Sequence, residues 1–321
     1  SDQAETAVTA RLARLGAEIH IGHDAGHLDA QTGAVVVSAA VQPGNPELQQ
    51  ARQQGCRIYK YAQLLGELMN HFNAVAVSGT HGKSTTSGWL VHCLKEAGVA
   101  PNFIVGANIS QLKASAGTGN SEFFVAEACE YDRSFLNIRP QVACILNIES
   151  DHLDCYRDEA DIVDTFYQFA LGSRPGGLVV ANGQDPNVTA VIERLGRERA
   201  VVTFGFDASC DFSARNVRLR HGLYHFDVFQ DEKCLGPTSI SLPGRHNILN
   251  GLAVVAIAVS CGIEPQTVLT VLNRFTGMDR RLAFKGEFDG ITVLDDYAHH
   301  PTEIRASLKA IRQRYRPKRL W

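Results

Sequence analysis

Val75-Ala76-Val77-Ser78-Gly79-Thr80-His81-Gly82-Lys83-Ser84-Thr85-Thr86 is the stretch that decides the fold. An apolar strand runs into a glycine-punctuated turn and then, through Lys83 and Ser84, into the apolar start of a helix at Trp89, Leu90 and Val91. That order is what a phosphate cradle requires. Glycines let backbone N–H groups turn inward, the helix N-terminus adds positive potential, a lysine reaches terminal phosphates and a hydroxyl holds Mg²⁺. Gly79, Thr80, His81, Gly82, Lys83, Ser84 and Thr85 are therefore the expected nucleotide-binding residues, with Lys83 a solvent-facing loop residue. The general pattern has a glycine where this chain has Val77, so the loop is the shorter Gly79-x-x-Gly82-Lys83-Ser84. A bound triphosphate narrows the chemistry to hydrolysis, phosphoryl transfer or ATP-driven ligation.

The remaining composition sets the frame. A chain of 321 residues holds two or three domains with ample core. A net charge of −3, spread along the chain, gives no basic footprint for nucleic acid. No apolar run approaches the ~18 residues of a membrane span, and no signal peptide opens the sequence. The eight cysteines are irregularly spaced without a Cys-x-x-Cys, which argues against a zinc site and fits reduced thiols in the cytoplasm.

Residues 1–72 alternate helix and strand, with short strands expected at 17–21, 34–38 and 57–59 in a doubly wound α/β pattern. A helix at 63–72 leads to the phosphate-loop strand and places a boundary near Phe72. Strands at 102–105, 123–126, 142–147, 178–181 and 200–204 read as buried and parallel. From Asp211 to Leu242 the pattern turns alternating and turn-rich, which predicts a small antiparallel section. Helices follow at about 246–261 and 265–274, and a second boundary falls near Thr276. Beyond it, 285–296 reads as strand–turn–strand, Pro301 starts a helix with the stripe Ile304, Leu308, Ile311 and Tyr315, and 319–321 reads as a further strand. The expectation is a multi-domain α/β protein divided into 1–72, 73–275 and 276–321. The chain opens directly in an amphipathic helix (Val8, Leu12, Leu15) and stops as a strand begins, so a fragment of a longer protein is expected.

Four further clusters carry chemistry. Glu127-Ala128-Cys129-Glu130-Tyr131-Asp132 follows a buried strand, where ligands collect in open α/β sheets and carboxylates suit Mg²⁺. Asn147-Ile148-Glu149-Ser150-Asp151-His152-Leu153-Asp154 repeats this on another strand; His152 could ligate a second metal or orient a reacting carboxylate. In Pro243-Gly244-Arg245-His246-Asn247-Ile248-Leu249-Asn250, Asn247 can be a helix cap, whereas Asn250, a turn inside, suggests a base or sugar contact. Asp279-Arg280-Arg281 suits anions, and Asp295-Asp296-Tyr297-Ala298-His299-His300-Pro301 is too polar for a core.

Together and in this order, the phosphate loop and these motifs resemble the Mur ligase family, whose members add amino acids to the UDP-sugar precursor of bacterial peptidoglycan. The resemblance spans nearly the whole chain; Ser1-Asp2, Ile21-Gly22-His23 and Val37-Ser38-Ala39-Ala40 are similar to the family's UDP-sugar-binding domain. It implies a Rossmann-like UDP-sugar domain, a central phosphate-loop ATPase domain with a parallel sheet, and a partial C-terminal α/β domain. It implies that Lys83 holds ATP phosphates, Ser84 and Glu127 a first Mg²⁺, and that His152 binds at a second metal site. Asn247 and Asn250 would face the adenine nucleotide, and Arg281 and Asp296 the nucleotide and phosphate. His23, Ser38, His299 and His300 would contact substrate. The implied reaction phosphorylates the carboxylate of UDP-N-acetylmuramate and lets the amine of L-alanine attack the acyl phosphate. Some members place a modified lysine downstream of the motif histidine; Thr165-Phe166-Tyr167 stands there, as in the alanine-adding members. The family's first strand and glycine-rich turn would precede Ser1, and most of its third domain would follow Trp321. The alternatives are a ligase attaching a recycled cell-wall peptide to the same sugar, or a fragment that binds nucleotide without turnover. A folate-polyglutamate ligase would share the loop but not the 295–301 motif.

Overall fold

Thr6 closes a capping box with Thr9, whose N–H donates to Thr6 Oγ1 at 3.1 Å while the Thr6 N–H donates to Thr9 Oγ1 at 2.8 Å; this starts helix α1 (Ala7–Arg14). The computed structural model describes residues 1–321, and the chain forms two units, Ser1–Leu68 and Met69–Trp321. In the first, β1 (Ala34–Val37) and β2 (Arg57–Lys60) pair in parallel, Ala34 opposite Arg57 and Val37 opposite Lys60. Between them runs α2 (Pro46–Gln53), capped by Asn45 Oδ1, which accepts the Glu47 N–H at 2.9 Å and the Leu48 N–H at 3.1 Å. Helix α3 (Tyr61–Met69) follows. The strand expected at 17–21 is absent. Only an isolated bridge joins Ile21 to Asp2, and with one residue to pair with, the exposed segment has no ladder to extend.

The second unit is built on β3 (Asn73–Ser78), all of it buried except Asn73. Along the chain come α4 (Lys83–Glu96), β4 (Asn102–Ile109), β5 (Ala114–Gly117), β6 (Phe123–Glu127), β7 (Val142–Ile145), α5 (Glu159–Leu171), β8 (Leu178–Asn182), α6 (Pro186–Leu195) and β9 (Ala200–Gly205). The expected antiparallel section is β10 (Phe212–Arg220), β11 (Leu223–Gln230) and β12 (Lys233–Ser239), followed by α7 (His246–Ser260) and α8 (Pro265–Val271). One sheet in the order β12-β11-β10-β9-β8-β7-β3-β6-β4-β5 unites these strands. Its centre is parallel, as unbroken apolar runs buried on both faces require. The edge strand β5, Ala-Ser-Ala-Gly, carries no strand signal, and its pairing with β4 alone defines it.

Helix α4 packs on α7, and α5 on α6. Apolar nearly all round, α7 is a core helix rather than an amphipathic one. Trp89 of α4 is fully buried; its Nε1–H donates to the Leu272 carbonyl at 3.0 Å and its ring stacks on Phe275 at 5.3 Å. The chain ends in the antiparallel hairpin β13 (Ala283–Phe288)–β14 (Ile291–Asp295) and α9 (Pro301–Tyr315). Residues 319–321 form no strand; Trp321 is fully exposed and nothing pairs with the segment. No helix is long and apolar enough to cross a membrane.

His92 of α4 is buried beside Phe275, and its Nε2 has no hydrogen-bond partner. Burial, aided by Arg274, holds its pKa below the ordinary imidazole value. The unfolded chain therefore takes up a proton that the folded chain refuses. The stability that neutral His92 contributes is present above the unfolded imidazole pKa and is lost as pH falls below it. Thermal melts should show the midpoint falling between about pH 7.5 and about pH 5.5, with a shallower slope in His92→Gln. Parallel slopes in the two proteins would count against this assignment.

Candidate active site

Strands β6, β3 and β7 are neighbours, and their carboxyl ends point to one edge at the sheet's switch point, where open α/β sheets bind ligands. Glu127 lies opposite Val77 and Ile145 opposite Ser78, so the segments after these strands meet. The phosphate loop turns at Gly79 (φ +139°) and Gly82 (φ +83°), both closed to most L side chains. Asn147, after β7, braces it. Its Oδ1 accepts the His81 N–H at 2.8 Å, its Nδ2 donates to the His81 carbonyl at 3.1 Å, and its own carbonyl accepts the Thr80 N–H at 3.1 Å. Thr80 Oγ1 accepts the Glu149 N–H at 2.8 Å.

Lys83 is not the solvent-facing loop residue expected. It is the first residue of α4, its side chain is 13% exposed, and its Nζ donates to the Gly79 carbonyl at 2.6 Å, the Thr80 carbonyl at 3.0 Å and Glu130 Oε1 at 2.9 Å. The loop curls its carbonyls over the start of the helix, and a buried carboxylate offsets the charge. Glu130, one of the motif acids expected to suit Mg²⁺, serves here as the counter-ion of this lysine. Its second oxygen is buried without a partner, and its first lies 3.8 Å from His152 Nε2. His152 (φ +53°), Asp132 and Arg133 (both φ +52°) are left-handed non-glycine residues around this point, a concentration of backbone strain of the kind found at functional sites.

Glu127 and Ser84 come together across Gly106. The Gly106 N–H donates to Glu127 Oε2 at 2.7 Å, and a Cβ there would lie 2.5 Å from that oxygen and 3.0 Å from Ser84 Oγ. Two oxygen donors converging on a place kept open by a glycine fit a hard cation such as Mg²⁺. Asn247 is not a cap, for Arg245 precedes the helix; Asn247 Nδ2 donates to the Pro243 carbonyl at 2.8 Å, and its Oδ1 accepts from Asn250 Nδ2 at 2.9 Å. This turns Asn250 Oδ1 onto the phosphate loop, 2.7 Å from where a Gly82 Cβ would stand.

A cavity of 310 Å³ opens over this junction, lined by Gly82, Thr85, Asn247, Asn250, Arg281 and Asp296. That is the size of a small-ligand pocket. Asn182, Asp185 and Phe204, at the ends of β8 and β9, also line it and went unnoticed in the sequence. Their only signal is position at a strand's carboxyl end.

The start of α9 closes one side. Glu303 Oε1 lies 3.3 Å from His81 Nδ1 and 3.7 Å from Arg281 Nη1, and Glu149 Oε2 lies 3.4 Å from His81 Nε2 and accepts from Thr302 Oγ1 at 2.7 Å. Burial opposes charge on both His81 and Glu303, but their proximity wins. The two carboxylates raise the His81 pKa, and His81, the His299 N–H and Arg281 bring Glu303 down to about 2. His299 is 61% exposed and turns to the Tyr297 carbonyl, whereas the His300 ring lies tilted against His81 with centroids 4.7 Å apart. Ser38 and His23 belong to the first unit. Ser38 follows β1, and His23 Nδ1 lies 2.9 Å from Ser1 Oγ and 3.6 Å from Glu47 Oε2.

A parallel sheet with a short phosphate loop, facing carboxylates at the ends of the neighbouring strands, defines a nucleotide-binding α/β protein. The chain belongs to the Mur ligase family. Residues 1–73 match the family's catalytic domain, 77–258 its middle domain and 280–321 its glutamate ligase domain. The UDP-N-acetylmuramate–L-alanine ligase of Caldicellulosiruptor saccharolyticus is 41% identical over 315 residues, 98% of this chain and 69% of that protein. The crystal structure of the UDP-N-acetylmuramate–alanine ligase of Thermotoga maritima superposes with a TM-score of 0.83 at 28% identity, covering 98% of this chain and 71% of that one. The UDP-N-acetylmuramate:L-alanyl-γ-D-glutamyl-meso-diaminopimelate ligase of Neisseria meningitidis gives 0.78 at 29% identity, covering 87% of this chain and 90% of that one.

Gly82→Ala should weaken ADP binding at least tenfold, because the left-handed backbone costs roughly 1–2 kcal/mol with a Cβ and Asn250 must move as well. Calorimetric titration of ADP into both proteins checks this, and an unchanged Kd would show that the loop tolerates the side chain.

Proposed function

We propose that this chain is an ATP-dependent ligase that joins L-alanine to the lactyl carboxylate of UDP-N-acetylmuramate through an acyl phosphate. The observation that carries the reading is the meeting of Lys83, Ser84 and Glu127 at one strand edge, in a chain 41% identical to a ligase of that name. A carboxylate is a poor electrophile, and bringing it to a triphosphate juxtaposes two anions. Lys83, freed from Glu130, offsets charge on the terminal phosphates. The N–H groups of residues 79–84 cradle them, and Asn250 and Asn247 hold the nucleotide against α7. Mg²⁺ held by Ser84 and Glu127, with a second ion near His152, would supply further charge neutralisation when bound. Arg281 and Asp296 close the cavity from the hairpin side, and His299 and His300, between the cavity-lining Ala298 and Thr302, would contact substrate. His23 and Ser38 serve the UDP-sugar, within a domain plan of 1–72, 73–275 and 276–321. The amine nitrogen of L-alanine then attacks the acyl carbon, phosphate leaves and the amine gives up a proton. We place the reaction in the cytoplasm, consistent with eight unpaired cysteines.

The likeness to the Neisseria peptide ligase favours one second reading, in which a murein peptide replaces L-alanine as the amine. ADP release by this chain with UDP-N-acetylmuramate and ATP should be stimulated by L-alanine and not by L-alanyl-γ-D-glutamyl-meso-diaminopimelate. The reverse preference selects the second reading, and no stimulation by either rejects both. Lys83→Ala should lower turnover roughly 100-fold while leaving the circular dichroism spectrum unchanged. Near-normal turnover in that variant would remove Lys83 from phosphate binding.

A further inference from the structure

Three side chains outside the Ser84–Glu127 pair present donor atoms to one point. His81 comes from the phosphate loop, Glu149 from the segment after β7 and His300 from the cap of α9, and their ligand atoms all lie within 4.8 Å of one another. Glu149 Oε2 is the hub, 3.4 Å from His81 Nε2 and 3.6 Å from His300 Nδ1, the nitrogen that accepts the Thr302 N–H at 3.3 Å as the helix cap and would exchange that bond for the metal. The edge of a tetrahedron of donors about 2.0–2.1 Å from a Zn²⁺ ion is about 3.3–3.4 Å. Two of the three donor separations are thus close to those of an occupied first shell, and the third is within 4.8 Å.

Two further features belong to a metal site rather than to an ion-pair clasp. His81 Nε2 is buried and makes no hydrogen bond, since Glu149 at 3.4 Å is off its line. The other ring nitrogen lies 3.3 Å from Glu303 Oε1, so a second carboxylate stands on the opposite side of the ring from Glu149. Glu149 in turn is oriented by the Thr302 hydroxyl at 2.7 Å. Two imidazoles with one carboxylate are the donors of a borderline ion such as Zn²⁺ or Co²⁺; Mg²⁺ prefers oxygen alone in an octahedron.

We propose that His81, Glu149 and His300 form a binding site for a tetrahedral transition-metal cation of the Zn²⁺ class, separate from the Ser84–Glu127 site, which ties the phosphate loop to the start of α9. The fourth position is left for water or a ligand in the neighbouring cavity, whose wall includes His81 and Glu149.

Co²⁺ alone, titrated into the metal-free chain without nucleotide, tests it. The expected result is one equivalent bound with the intense visible band of tetrahedral nitrogen and oxygen ligation, displaced by Zn²⁺ and not by millimolar Mg²⁺. His300→Ala and Glu149→Gln should each abolish the band, Glu303→Gln should weaken binding about tenfold, and His152→Ala should leave it unchanged. Exposed Cys129 and Cys234 are the competing donors, and a thiolate charge-transfer band in the near ultraviolet would assign the metal to them. That band, a weak octahedral spectrum, or a tetrahedral band surviving in both His300→Ala and Glu149→Gln would each overturn the proposal. Should either variant misfold, the wild-type spectrum and stoichiometry still decide.

Discussion

The near-contact between Gly82 and Asn250 is the constraint on which the rest of the second unit depends. Gly82 sits in the left-handed region immediately before α4, and its missing Cβ is the space that the Asn250 side chain of α7 occupies. The two helices can therefore start almost against each other. The approach continues along the pair, where a Cβ on Gly251 of α7 would stand 3.4 Å from the Trp89 ring of α4, while a Cβ on Gly88 would come 2.3 Å from Met278 Sδ in the segment beyond α8. Small residues at these points let one buried helix pack on another with the close-packed contacts that stabilise an interior. The same closeness points the first-turn N–H groups of α4 and the amides of α7 into one cavity. Packing and ligand recognition thus share the same atoms.

Charge at the site is balanced locally rather than removed. Half-buried Lys83 pairs with buried Glu130, and a pair withdrawn from water is tolerated only when its remaining donors and acceptors are satisfied. The lysine's are, through two loop carbonyls; the second oxygen of Glu130 is not. An orphaned buried carboxylate oxygen costs about 1–3 kcal/mol or more, an energy that packing elsewhere must supply. The strained backbone at Asp132, Arg133 and His152 lies in the same two segments. An arrangement that stores unfavourable energy at the ends of β6 and β7 is ready to exchange it for the ligand contacts proposed above.

The sheet was legible in the sequence because parallel strands buried on both faces are written as apolar runs, as in β3, β6, β7 and β8; β9 has the same composition, but Ala200 is exposed, residues 201–203 are half-buried and only Phe204 and Gly205 are buried. The loop and its acidic neighbours were legible because glycine, lysine and carboxylate at strand ends have few other uses. What failed had no local signature. Residues 17–21 have strand composition but only Asp2 to pair with. Lys83 reads as a surface residue until Glu130, far along the chain, is seen opposite it. Asn247 is equally good chemistry for a cap and for an amide bridge, and only the position of Pro243 and Asn250 chooses between them. Asn182, Asp185 and Phe204 enter the cavity because two strands further along the sheet end at its rim.

Val77, where other phosphate loops carry glycine, shows how these elements depend on one another. It is fully buried in the centre of the sheet, paired with Glu127 on one side and Cys144 on the other, a place where glycine would weaken the strand. The chain therefore turns two residues later. At Gly79 a Cβ would meet the Leu146 Cβ at 3.0 Å and the Asn147 backbone at 3.2 Å, so the segment after β7 fixes where the first glycine must stand. Asn147 then takes both the N–H and the carbonyl of His81, replacing the internal support that a longer loop would give itself. The shortened loop and the Asn-Ile-Glu segment are one device. His81 is held at its tip and Glu149 two residues past its brace, which is why a change at Asn147 would reach the glycine loop and the α9 contacts together.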